Sequence, residues 1–134
     1  MYPLSFAVRW NYSRSASHIE IPVSLRAGAS TVDLLAKIDT GSTYCVFQRE
    51  YGEQLGLVME EGDLTSIATA KGPFDAYGHW VAIEALDFLV ESHVYFAAQP
   101  GFARNVLGLL GWIDRFHLAV THHDCLLHVS PYDR

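Results

Sequence analysis

The chain has 134 residues, of which 50% are hydrophobic and 18% are charged, and its formal net charge is -6. This composition is typical of a folded globular protein and argues against disorder. The acidic balance and the lack of a basic cluster argue against nucleic acid as a partner. No apolar stretch approaches the length of a membrane span, and residues 1–10 lack the features of a signal peptide. We therefore expect one domain over residues 1–134, cytoplasmic and without a membrane contact.

The two cysteines, Cys45 and Cys125, are too few for a disulfide framework. Cys45 lies in an apolar run, which favours a buried free thiol. A Cys45 nucleophile paired with a histidine remains an alternative, but core packing is the simpler interpretation.

The first half of the chain has the two-residue periodicity of β-strands. Alternating apolar residues predict strands over residues 4–10 and 19–25, separated by a polar connection. Residues 27–30 have the composition of a hairpin turn, so residues 31–38 are predicted to form the return strand.

A polar turn follows that return strand. Asp39-Thr40-Gly41-Ser42 stands between two apolar runs, residues 34–38 and 44–47. The pattern places a carboxylate on a tight turn between buried strands, with hydroxyls to brace the turn and a glycine that permits close backbone approach. Because Asp-x-Gly is also an ordinary turn signal, the tetrapeptide alone does not define a site.

The second half of the chain is also predicted to be mainly strands. Residues 48–55 contain helix formers and stop before Gly56, which predicts a short helix. The remaining strands are predicted over residues 64–69, 77–86 and 88–97, with a break at 99–101 and a terminal hairpin around residues 122–124.

Two motifs together carry a resemblance to a known family. Asp39-Thr40-Gly41-Ser42 resembles the active-site loop of aspartic proteases. Residues 105–116 resemble the apolar-apolar-Gly segment and following helix of retropepsin-like proteases, in the variant familiar from bacterial members, with Val106, Leu107 and Gly108 as the structural loop. The resemblance implies a mainly β fold: a single-domain, retropepsin-like closed β-barrel, equivalent to half of a pepsin-like acid protease, with one or two short helices.

The same resemblance implies an aspartic endopeptidase that hydrolyses peptide bonds with an activated water. The chemistry uses two carboxylates that share a proton, and the chain has one such loop, so we expect a homodimer with Asp39 from each subunit. By resemblance, the Thr40 hydroxyl bonds across the dimer, Gly41 contacts the substrate backbone, and Ser42 bonds the carboxylate. The expected partner is a peptide or protein substrate, and no cofactor is expected.

The sequence departs from the retroviral pattern at two positions. Viral members place an Asp soon after the catalytic triplet and an Arg after the apolar-apolar-Gly segment, and these two form a buried ion pair near the dimer interface. Here the positions hold Thr43 and Leu109. Because both partners are absent, no buried charge is left unpaired, but the interface is expected to be built differently.

Residues 68–78 are the candidate flap, a mobile hairpin over the active site. The segment has small residues and turn chemistry, and it falls where family members place their flap. We expect backbone freedom from Gly72 and Gly78 and a tip near residues 71–74. An ordinary surface hairpin is the alternative interpretation. The predicted substrate-binding residues of the flap are Thr69, Ala70, Lys71, Gly72 and Tyr77.

The sequence also allows a metal site at the histidines and a protein without catalytic activity. His117, His122, His123 and His128 are close in sequence, but they straddle a predicted turn and lack the spacing of known zinc sites, so no metal site is predicted. A non-catalytic peptide-binding or dimerisation module that retains the acid-protease fold is the alternative to the enzyme.

Overall fold

The computed structural model describes residues 1 and 3–132. Its strands, in chain order, are β1 Val8–Asn11, β2 Glu20–Ala27, β3 Ser30–Ile38, β4 Val46–Phe47, β5 Asp63–Ile67, β6 Phe74–Ala85, β7 Phe88–Ala97, β8 Val106–Leu107, β9 Phe116–Thr121 and β10 Leu126–Pro131. The α-helix of this part of the chain, α1, spans Arg49–Gln54. Three-residue 3-10 turns span Met59–Glu61, Ile113–Arg115 and His122–Asp124. None of these helices is long and apolar enough to cross a membrane.

Seven of the strands form a sheet that closes on itself. Their order is β2-β3-β8-β4-β7-β6-β5, and β2 also pairs with β6, with Leu25 opposite Ile83. That pairing joins the two sides of the sheet into a barrel, which confirms the predicted mainly β fold. A second sheet, β1-β10-β9, brings the first and last strands together.

The strand periodicity explains the core. In the β2–β3 hairpin, every second residue is buried, and the register sets apolar residues opposite one another: Ile21 with Ala36, Val23 with Leu34, and Leu25 with Val32. Each large side chain buried in this way contributes about 1.5–3 kcal/mol of transfer free energy. The predicted turn at 27–30, the return strand and the helix before Gly56 are confirmed.

Several sequence predictions of local structure are wrong in extent. β6 begins at Phe74, before the predicted strand 77–86, and the first strand covers only Val8–Asn11, since its ladder with β10 begins at the pair Val8–Val129. The helix expected after the apolar-apolar-Gly segment is reduced to the 3-10 turn Ile113–Arg115. Trp112 before it is fully buried and β9 begins at Phe116, so too few residues remain for an α-helix.

Candidate active site

Asp39 lies at the end of β3, on a turn fixed by backbone hydrogen bonds. Its N–H donates to the carbonyl of Leu107 at 3.1 Å, and its carbonyl accepts the Ser42 N–H at 3.1 Å. The side-chain atom Oδ1 accepts the Gly41 N–H at 2.8 Å. The Asp39 side chain is 25% exposed. The turn therefore presents a partly buried carboxylate in a defined orientation.

The three residues after Asp39 differ in their surroundings. Thr40 and Gly41 are exposed. Ser42 does not bond the carboxylate as expected, because its hydroxyl donates to the carbonyl of Tyr44 at 2.8 Å. The Gly41 N–H, rather than the Ser42 hydroxyl, donates a hydrogen bond to the Asp39 carboxylate. Ser42 instead supports the loop, since its carbonyl also accepts the Leu109 N–H at 2.9 Å.

Val106, Leu107 and Gly108 pack against the Asp39 turn and fix its position. β8 pairs in parallel with β3, with Leu107 opposite Ile38, and Val106 also pairs with Val46. A side chain at Gly108 would place Cβ 2.2 Å from the carbonyl oxygen of Tyr44, so the close approach of the two loops requires glycine. The two motifs that were singled out in the sequence are thus in direct contact.

The Cys45 thiol lies behind this loop. The side chain is buried, and Sγ accepts the Gly108 N–H at 3.4 Å. Burial raises the pKa of this thiol to about 12, so it stays protonated at neutral pH. This environment fits core packing and opposes the alternative of a cysteine nucleophile.

The β5–β6 hairpin closes the other side of the site. Its turn is held by reciprocal backbone bonds between Thr69 and Gly72, at 3.2 and 3.0 Å. The Thr69 hydroxyl also donates to the Gly72 carbonyl at 2.6 Å. Gly72 has a φ of +111°, a conformation that disfavours other residues. The tip is therefore at residues 69–72, slightly before the expected position.

Two residues assigned to this hairpin lie inside β6 rather than in the turn. Tyr77 pairs with Leu64 on one side and Phe96 on the other, and it packs partly against the core. Gly78 is buried, and a Cβ there would lie 2.3 Å from the His93 ring. The expectation that Gly78 supplies hinge freedom is therefore wrong: this glycine permits close packing within a paired strand.

A cleft of about 460 Å³ lies between the Asp39 turn and the hairpin. Its floor includes Asp39, Gly41, Ser42 and Val106, and its roof includes Thr69 and Ala70. Lys71, Gly72 and Tyr77 do not line it. At one end, the rings of Phe74 and Phe102 pack in a tilted arrangement with centroids 4.6 Å apart, so the hairpin contacts the loop before β8.

Two basic residues at this cleft are not among the residues predicted from the sequence. Lys37 Nζ lies 3.4 Å from Asp39 Oδ2, and Arg104 lines the cleft wall. The position of Lys37 could have been predicted from the sequence, because residues two apart on a strand share a face and Lys37 precedes Asp39 by two residues. Arg104 lies in irregular backbone, where the sequence gives no periodicity to place it.

The histidines near the C-terminus do not form a metal centre. Within residues 1 and 3–132, no group of three or more His, Cys, Asp or Glu side chains is arranged to hold a metal ion. His122 instead bonds the Tyr12 hydroxyl at 2.7 Å and stacks on its ring.

This arrangement of strands is the fold of retropepsin-like aspartic proteases. A retropepsin-like aspartic protease from Rickettsia conorii aligns with 90% of this chain and 96% of its own length, at a TM-score of 0.65 and 15% identity. The EIAV protease in complex with the inhibitor HBY-793 aligns with 70% of this chain and 84% of its own length, at a TM-score of 0.54 and 18% identity. No family model and no curated protein matches the sequence.

Proposed function

We propose that residues 1–134 form one domain that acts as an aspartic endopeptidase, with the Asp39 carboxylates of two copies in one active site. The observation that carries this proposal is the composition of the cleft. Among its lining residues in the described part of the chain, Asp39 is the one acidic side chain. Because the chemistry requires two carboxylates that share a proton, the second comes from another copy of the chain.

The exposure of the turn supports the same assembly. Thr40 and Gly41 stand out from the surface next to Asp39. In a two-fold dimer around this turn, the two Asp39 side chains approach each other and the Thr40 hydroxyls bond across the axis. The apolar neighbours Leu109 and Leu110 are also exposed and extend the surface that a second copy would cover.

In the proposed mechanism, a water lies between the two Asp39 carboxyl groups. The ionised carboxylate takes a proton from this water, and the protonated one donates a hydrogen bond to the scissile carbonyl. Oxygen from the water adds to that carbonyl carbon without a covalent acyl-enzyme, which gives a tetrahedral intermediate. The C–N bond of this intermediate then breaks, and the leaving amine nitrogen takes a proton from the carboxyl group that had accepted it from water. The β5–β6 hairpin acts as the flap, and the substrate binds as an extended strand between it and the Asp39 turn.

Both thiols are free, which fits the proposed cytoplasmic location, where cysteines are kept reduced.

The decisive variant is Asp39→Asn, which retains the shape of the side chain and removes the charge that activates water. We expect loss of cleavage of a mixed peptide library, assayed by mass spectrometry between about pH 4 and 7, with the thermal transition nearly unchanged. Asp124→Asn is the matched control, because Asp124 is an exposed carboxylate on the 3-10 turn His122–Asp124, outside both the cleft and the hairpin.

Each outcome has a distinct meaning. Cleavage that persists in Asp39→Asn rejects Asp39 as the catalytic residue. A wild-type chain that binds peptides in the cleft and never cuts them would identify the non-catalytic peptide-binding module instead. A statine-type inhibitor should bind the active enzyme more tightly than a matched peptide, since its hydroxyl takes the place of the attacking water.

A further inference from the structure

A second cavity, of about 430 Å³, adjoins the cleft and is rich in cations. The chain has only two lysines, Lys37 and Lys71, and both line this cavity together with Arg104. We call these three residues the basic corner. They are far apart in the sequence, on β3, on the hairpin turn and before β8, so only the fold brings them together. The concentration of cations contrasts with the net charge of -6 of the whole chain.

The acids near the basic corner already have partners. Glu20 lines the same cavity and bonds His18 at 2.9 Å, and Asp39 faces Lys37 at 3.4 Å. Within residues 1 and 3–132, neither Lys71 nor Arg104 forms an ion pair, and both are exposed. In the described part of the chain, Lys71 and Arg104 are therefore the two cations of the cavity that no carboxylate pairs with.

The basic corner is continuous with the proposed active site. Arg104 lines both the cleft and the cavity. The backbone next to Arg104 is fixed by two hydrogen bonds of Asn105. Its side-chain amide donates to the Gln48 side chain at 3.0 Å, and its carbonyl accepts the Lys37 N–H at 2.8 Å. Lys71 directly follows Ala70, which lines the cleft roof. A peptide in the cleft would thus extend a side chain next to the scissile bond into this corner.

The geometry points to selection of peptides that carry a carboxylate, Glu or Asp, at the residue next to the scissile bond. This inference rests on the proposed function, since it names the substrate class of the same site. A carboxylate there would accept hydrogen bonds from the Arg104 guanidinium on the cleft wall and from the Lys71 ammonium on the hairpin turn. Lys37 remains with Asp39, so Lys71 and Arg104 are the specificity-determining residues.

The test compares two peptides that differ only in Glu or Gln at that residue, after mass spectrometry of a mixed library has located the cleaved bond. We expect the wild-type kcat/KM to favour the Glu peptide about three- to tenfold at low salt, since each exposed ion pair contributes modestly. This ratio should fall as salt is added. In the double variant Lys71→Gln, Arg104→Gln, the ratio should fall to about one.

Arg9→Gln is the matched control, because Arg9 is an exposed cation on β1 and lies outside both cavities. It should retain the Glu preference. A wild-type ratio of one or less, or a preference that survives the double variant, overturns the inference while leaving the endopeptidase intact.

If the wild type cleaves no peptide, the proposed function fails and binding decides the inference separately. Two labelled peptides of one sequence that differ only in a central Glu or Gln then replace the cleavage substrates, and fluorescence anisotropy should show tighter binding of the Glu peptide to the wild type than to the double variant. Equal binding of the two peptides overturns it.

Discussion

At the scale of single residues, the two oxygens of the Asp39 carboxylate have different partners. Oδ1 accepts the Gly41 N–H at 2.8 Å, and Oδ2 faces the Lys37 ammonium at 3.4 Å. The proposed chemistry needs a hydrogen bond between the two Asp39 carboxyl groups of the dimer, and the ammonium competes for one of the two oxygens. Loss of Lys37 should therefore leave that oxygen available to the second carboxyl group and speed cleavage.

Lys37→Met tests this effect of the ammonium. The variant keeps a long side chain and removes the cation, so Oδ2 loses the partner that competes for it. We expect kcat for an uncharged peptide, measured at pH 5, to rise about threefold or more over the wild type. Arg9→Gln is the control, since it removes an exposed cation that lies outside the cleft. An unchanged kcat in Lys37→Met would show that the ion pair has no influence on catalysis.

At the scale of elements, the packing of β8 under the Asp39 turn depends on the absence of a side chain at Gly108. We expect Gly108→Ala to lower the free energy of unfolding by about 3 kcal/mol, because the methyl group would overlap the Tyr44 carbonyl and force the two loops apart. Urea denaturation measures this. Gly101→Ala is the comparison: it has a φ of +81° with open space around it, so it should cost only about 1 kcal/mol of backbone strain. Equal losses in the two variants would contradict the steric argument.

The β5–β6 hairpin should move on its own while the barrel stays closed. Its turn has four residues held by bonds within the turn, and Ala68 and Ala70 are exposed. By contrast, β3 is paired on both sides, with β2 and β8. Amide exchange in the free protein should therefore be much faster for residues 68–73 than for β3. Exchange as slow in the hairpin turn as in β3 would mean a rigid surface turn and would remove the flap from the mechanism.

The parts of this structure that the sequence predicted are those set by local pattern. Alternation over residues 19–25 and 31–38 is enough to place β2 and β3. The partner of the Ser42 hydroxyl depended on where β4 leaves the turn, and the packing role of Gly78 depended on the His93 ring across the sheet. The Gly78–His93 contact joins residues that are distant in sequence, so no periodicity encodes it, whereas the Ser42–Tyr44 bond is local and depends on a backbone conformation of the turn that the residue types do not specify. The residues of the basic corner are likewise distant in sequence.

At the scale of the whole molecule, the proposed dimer must bury the surface around the Asp39 turn without the ion pair that retroviral members use. Leu109 and Leu110 follow Gly108 and are 41% and 51% exposed. Their N–H groups donate to the carbonyls of Ser42 and Thr43, so both lie beside the C-terminal end of the Asp39 turn. Two adjacent exposed leucines next to the proposed active site are well placed for contact with a second copy, where apolar burial would replace the missing ion pair.

Leu110→Asp should therefore weaken the dimer, because it places a charge on a surface that association removes from water. We expect the dissociation constant from sedimentation velocity to rise at least about tenfold, as expected for loss of a well-packed interface residue. Specific activity should fall in parallel at low protein concentration and recover as the concentration is raised, since the proposed active site needs one Asp39 from each copy. Leu89→Asp is the control, because Leu89 is 58% exposed on β7 and does not line the cleft. Full activity of a strictly monomeric Leu110→Asp chain would show that one copy is sufficient and would reject the shared site.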